Sequence, residues 1–127
     1  MCVYTKDWFP KISRKPIKVY KILERNEIFG LVTPFIQQRV EIGKPIKAKI
    51  PWHRYDIHVD PYMIMYIIAA EGVHAYTKFA EARANITHSG NPQHIYEAII
   101  PDWTFYWTDD YVKEIAAEEM IITKKLL

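Results

Sequence analysis

The chain has 127 residues, half of them hydrophobic and a quarter charged, with a formal net charge of +2. That balance excludes a disordered or collagen-like polypeptide, and the length suits one domain with a core of its own. A single cysteine, Cys2, excludes an intramolecular disulfide and a thiolate zinc cluster, and the longest apolar run, Tyr62 to Ala70, is too short for a membrane span.

The N-terminus has no apolar stretch of signal-peptide length, so a reducing, cytoplasmic setting without membrane contact is expected. Residues 1–16 carry Pro10, Pro16 and many charges and read as an extended arm ahead of one domain over 17–127. Lys6, Lys11, Arg14, Lys15, Lys18 and Lys21 make the first 21 residues locally basic. Short basic arms are more often solvated surface than nucleic-acid contacts, so nucleic acid is not an expected partner.

The first regular element is expected at Ile17 to Leu23, where β-branched and aromatic residues favour a strand, followed by a turn at Arg25-Asn26-Glu27. A second apolar run, Ile28 to Val32, is ended by Pro34. Short strands and tight turns are expected between Gln37 and Val59 around Gly43, Pro45 and Pro51. After Asp60-Pro61, the run Tyr62 to Ala70 admits a capped helix or a buried strand, because nearly every position is apolar and periodicity cannot choose. Glu71-Gly72 marks a turn and Val73 to Tyr76 a strand. Thr77 can cap a helix over 78–87, where Ala80, Ala82 and Ala84 raise helix propensity. Ser89 to Pro92 is a loop, Ile95 to Ile100 a strand, and Trp103 to Trp107 another. Glu114 to Thr123 mixes helical and strand propensity, which suggests a short turn feeding a final strand. This order predicts an α+β fold: one compact domain with a mixed or antiparallel sheet and one clear helix.

Met1-Cys2, Pro10-Lys11-Ile12, Ile17 to Leu23, Gly72 to Tyr76, Ile99-Ile100-Pro101 ahead of Tyr106-Trp107, and Glu114-Ile115-Ala116 ahead of Ile121-Ile122 together resemble a group of small phage and prophage proteins with no assigned activity. The resemblance spans most of the chain and implies a viral or mobile-element origin and a role in handling host components. Asp102-Trp103 follows Pro101 where that group favours a Lys-Gly turn. The segment Gly72 to Ala82 is more distantly similar to the second core motif of ADP-ribosyltransferases, a strand and helix flanking a nicotinamide pocket. That likeness implies Tyr20 on the first core strand, His74 and Tyr76 at the pocket, one of Glu114, Glu118 or Glu119 near the last strand, and NAD as cofactor. The chain departs from the motif at Tyr20-Lys21, where those enzymes place a His or Arg that anchors NAD.

No catalytic motif stands out from the residues themselves. Ser13 and Ser89 lack a nucleophile-elbow setting, four glycines form no phosphate-cradling loop, and Cys2 lies at a terminus that rarely positions a base. His53, His58, His74, His88 and His94 show no helical ligand pair, and although His58 and Asp60 could share a strand face, no metal is expected. His74 is singled out because Val73 and Ala75 should face the core and leave it on the opposite face. Glu114 and Glu118 fall together on either a strand or a helix, an arrangement that raises one carboxyl pKa, though charges near Lys113, Lys124 and Lys125 are ordinarily solvated.

Aromatic residues make up 14% of the chain. Trp52-His53-Arg54-Tyr55 and Trp103 to Trp107 place rings and a guanidinium where a flat ligand could stack, although such residues more often pack in sheets. The expected function is a binding protein with no cofactor that engages a host protein or a nucleotide-like ligand. Its candidate contacts are Tyr20, Trp52, Arg54, His74, Tyr76, Trp103 and Glu118. The alternative is an ADP-ribosyltransferase-like domain, active or degenerate.

Overall fold

β-Branched and aromatic residues alternate with polar ones from Ile17 onward, and the chain there runs as its longest strand. In chain order the strands are β1 (Val3–Thr5), β2 (Lys11–Ile12), β3 (Ile17–Asn26), β4 (Gly30–Val32), β5 (Pro45–Lys47), β6 (Ile57–Val59) and β7 (Met65–Ala69). They continue with β8 (Val73–Tyr76), β9 (Gln93–Ile100), β10 (Phe105–Thr108), β11 (Glu114–Ala117) and β12 (Glu119–Lys125), and the helix α1 (Phe79–Ala84) follows β8. The computed structural model describes residues 3–5, 9–34, 38–48, 57–59, 65–69, 72–88, 90–109 and 113–127, with the backbone alone for 3–5, 57–59 and 65–69.

All strand pairs among these residues are antiparallel. The expected α+β fold is therefore corrected: six residues of helix accompany twelve strands, and the fold is nearly all sheet. Helix propensity lost to the ladder at two places. Glu114 to Ala117, read as partly helical, is instead paired on both edges, with β8 and with β10. The helix expected over 78–87 is confined to Phe79–Ala84, and Lys78, not Thr77, holds the N-cap position without a side-chain cap. The Thr77 N–H and hydroxyl donate instead to the Lys113 carbonyl, at 2.9 and 3.3 Å. At the other end the Thr87 N–H donates to Gln93 Oε1 at 2.8 Å, drawing the chain into β9.

The larger sheet runs β2-β10-β11-β8-β3-β9-β12-β5, with β4 also on β3. β11 and β12 are separated by Glu118 alone. Following the ladder from β11 through β8, β3 and β9 to β12 and stepping across Glu118 returns to the start, so these strands close into a small barrel. Its interior draws on each of them: Val19 and Leu23, Val73 and Ala75, Tyr96, Ala98 and Ile100, Ile115 and Ala117, Met120 and Ile122 form one buried cluster. Each fully buried aliphatic side chain contributes roughly 1.5–3 kcal/mol. The weakest seam is between β3 and β8, where one register pair, Tyr20 with Tyr76, joins the strands.

Outside the barrel, α1 lays Phe79 and Ala82 over Tyr20, Ile22, Tyr76 and Ile95. A smaller sheet, β1-β7-β6, lies with β1 against β10 and β11. The segment expected as an arm is thus woven into both sheets through β1 and β2. Of the run with two readings, the described part, Met65–Ala69, is strand. The turn expected at Arg25-Asn26-Glu27 falls slightly later, because β3 continues to Asn26, whose Oδ1 accepts the N–H of Ile28 and Phe29 at 2.8 and 3.1 Å. Among the described residues no helix is long and apolar enough to cross a membrane.

Candidate functional site

Between β9 and β10 the chain turns through Pro101 to Thr104, and this turn is held by one residue. Ser13, 2% exposed just beyond β2, donates its N–H to the Thr104 carbonyl (2.9 Å) and its hydroxyl to the Pro101 carbonyl (2.6 Å). It accepts the Thr104 N–H on Oγ (2.9 Å) and the Trp103 N–H on its carbonyl (2.7 Å). Pinned this way, Trp103 sits at φ 57°, the left-handed region that a bulky residue rarely enters. The residue is 63% exposed, with the Arg14 guanidinium 5.4 Å from the ring centroid.

Glu118 meets this turn from the other side. In the kink between β11 and β12, its N–H donates to the Phe105 carbonyl (3.1 Å), its Oε1 accepts the Phe105 N–H (3.1 Å), and its carbonyl accepts the Ala48 N–H (3.0 Å). Trp103 and Glu118, singled out separately in the sequence, thus line one open groove of about 510 Å³ with Asp102, Thr104, Lys47 and Glu119. Lys47 pairs with Glu119 at 3.5 Å. Three carboxylates face one ammonium, a formal lining charge of −2. The arrangement can stack a flat or cationic group on the indole and hold polar groups beside it.

Tyr20, His74 and Tyr76 lie elsewhere. Tyr20 stands directly opposite Tyr76, Tyr76 opposite Glu114, and His74 opposite Ala116. Strand alternation puts His74 on the same outer face as Tyr76. Tyr20 meets Phe79 of α1 edge to face at 5.9 Å, and Tyr76 is buried against the helix. Burial, with Glu114 and Glu81 nearby, pushes the Tyr76 hydroxyl up to about 12. Burial and the charges of Asp109 and Glu81 also raise the Glu114 carboxyl above its ordinary value. Glu114 opens β11 and Glu118 lies in the kink beyond its far end, so they do not form a carboxylate pair. Trp52, His53, Arg54, Asp60, Ser89 and Cys2 lie outside the described residues. Among those described, no three His, Cys, Asp or Glu side chains converge to hold a metal ion.

Sequence reasoning missed Lys21. Counted there with the basic arm, it lies between Val19 and Leu23 on the barrel's inner face, 6% exposed, and its Nζ donates to the His74 carbonyl at 2.6 Å across the β3–β8 seam. Desolvation lowers its pKa to about 8. Alternation in Val19-Tyr20-Lys21-Ile22-Leu23 was the available signal, since it assigns Lys21 to the face of two aliphatic residues.

No family model matches the chain, and no curated protein or solved structure matches it.

Proposed function

We propose that the chain is a cytoplasmic binding module of phage or mobile-element origin that engages a host protein or a nucleotide-like ligand through the groove beside Trp103, without chemistry of its own. The observation that carries this is the state of Trp103. A large apolar ring is held in solvent on a left-handed backbone, a conformation that costs about 1–3 kcal/mol and persists only where its surroundings impose it. Here the buried Ser13 imposes it. Rigid aromatic platforms of this kind carry binding energy at little entropic cost. The test is a melting-temperature screen across a nucleotide panel together with capture from host lysate. A Trp103-dependent shift or capture is expected, and silence in both would contradict the reading.

A second reading, an ADP-ribosyltransferase-like site for NAD, draws support from the pairing of β3 with β8, which sets Tyr20 beside Tyr76 and Glu114 in one cross-strand row. Phe79 and Ala82 of α1 pack on that face, which makes the Trp103 groove the better-supported site. Release of nicotinamide from NAD, abolished by Tyr76→Phe with Glu114→Gln, would support the second reading; no release would remove it.

A further inference from the structure

We propose that the occupant of the groove is a basic side chain, Arg or Lys, presented by an extended segment of a partner protein; this rests on the groove being the binding surface. Three features point to a cation. The indole of Trp103 already receives a guanidinium, that of Arg14 at 5.4 Å, so the electron-rich face of this ring is presented to positive charge, and 63% of the residue still meets solvent. The lining is acidic: Lys47 is engaged by Glu119 at 3.5 Å, and Asp102 and Glu118 add two further carboxylates to the same groove. The Glu118 carboxylate is also oriented, because its Oε1 accepts the Phe105 N–H at 3.1 Å. A carboxylate held beside an aromatic face suits a guanidinium or ammonium, which takes ring and oxygen together. The same carboxylates oppose a phosphate, which selects a basic protein segment over a nucleotide.

The experiment is an anisotropy titration of the full chain into a dye-labelled Gly-Arg-Gly-Arg-Gly peptide, beside its lysine, citrulline and glutamate counterparts and with AMP as competitor. The arginine peptide is expected to bind at least tenfold more tightly than the citrulline peptide, which keeps the shape and loses the charge. Added salt is expected to weaken it. Trp103→Ala and Trp103→Gly should each reduce affinity about tenfold, and Asp102→Asn with Glu118→Gln severalfold, without a fall in melting temperature. Glycine adopts φ 57° freely, so the second Trp103 variant guards against misfolding of the first. Equal binding of the arginine and citrulline peptides, or displacement by AMP, in a Trp103-dependent manner would overturn the cationic occupant and leave the groove reading standing. Absence of any Trp103-dependent binding would overturn both.

Discussion

The molecule has two aromatic regions that look alike in sequence and behave oppositely in structure. Around Tyr20 and Tyr76 the rings lie in register across β3 and β8 and are roofed by Phe79 and Ala82 of α1. Around Trp103 the ring sits on a turn between strands, outside any ladder, with a buried serine holding the backbone and solvent covering most of the indole. The difference teaches that an aromatic residue's role follows from whether its strand neighbours and a covering element can reach it. A paired position inherits neighbours above and below; a turn position inherits none unless another segment crosses it.

The comparison breaks most visibly by truncation. Tyr76→Ala on the covered face is expected to cost about 3 kcal/mol or more in denaturant unfolding followed by circular dichroism, whereas Trp103→Ala should stay within about 0.5 kcal/mol. Equal losses would mean that the open ring is structural. Ser13→Ala leaves the Thr104 N–H without its acceptor and the Pro101 carbonyl without its donor, and should cost about 2 kcal/mol. It should also make Trp103 more mobile, visible as a lower fluorescence anisotropy of that residue in a background where the other tryptophans are replaced by Phe.

Charge sharpens the same contrast. The open groove tolerates three carboxylates, but the barrel interior holds Lys21 at a pKa of about 8 against an ordinary 10.5, so the folded state binds this proton less tightly than the unfolded chain does. The Lys21 contribution to stability should therefore rise with pH from about 8 and level off above about 10.5, while Tyr76, whose hydroxyl is pushed up to about 12, draws stability down as pH rises above about 10. The Lys21 shift corresponds to about 3 kcal/mol of destabilisation near neutrality. Lys21→Met removes that penalty but leaves the His74 carbonyl without this donor, at about 1–3 kcal/mol. A net gain of about 1 kcal/mol at pH 7 is expected, vanishing or reversing by pH 10.5; a loss at pH 7 would show that the hydrogen bond outweighs the buried charge. Trp103→Gly relieves the left-handed strain and should raise stability by up to about 1 kcal/mol.

Much of the sheet could be read from the chain. Ile17 to Leu23, Val73 to Tyr76 and Ile95 to Ile100 carry enough β-branched and aromatic residues to announce strands, and all three are strands. Local propensity alone points to an α+β class because it leaves out the pairing of one strand with another. Glu114 to Ala117 has helix-forming residues but lies between β8 and β10, where pairing on both edges outweighs a preference of a few tenths of a kcal/mol per residue. The helix stops at Ala84, short of the expected Thr87, because the β-branched Ile86 and Thr87 are weak helix formers and the Gln93 side chain takes the Thr87 N–H. Trp103 and Glu118 could each be picked out, but their meeting could not. It depends on the register that sets Tyr106 opposite Ala117, and on a one-residue kink that no local pattern encodes. Lys21 was hidden by composition, because a lysine near other lysines reads as surface until strand alternation is applied to it.

The claim that the turn ring is exposed for recognition while the paired rings are sealed is tested most directly by ¹⁹F NMR of 5-fluorotryptophan-labelled protein titrated with the arginine peptide. Trp→Phe variants would assign the Trp103 and Trp107 signals. The Trp103 resonance should show a large solvent isotope shift and move with peptide, while that of the buried Trp107 does neither. Movement of Trp107 with a stationary Trp103, or no solvent isotope shift at Trp103, would contradict the account.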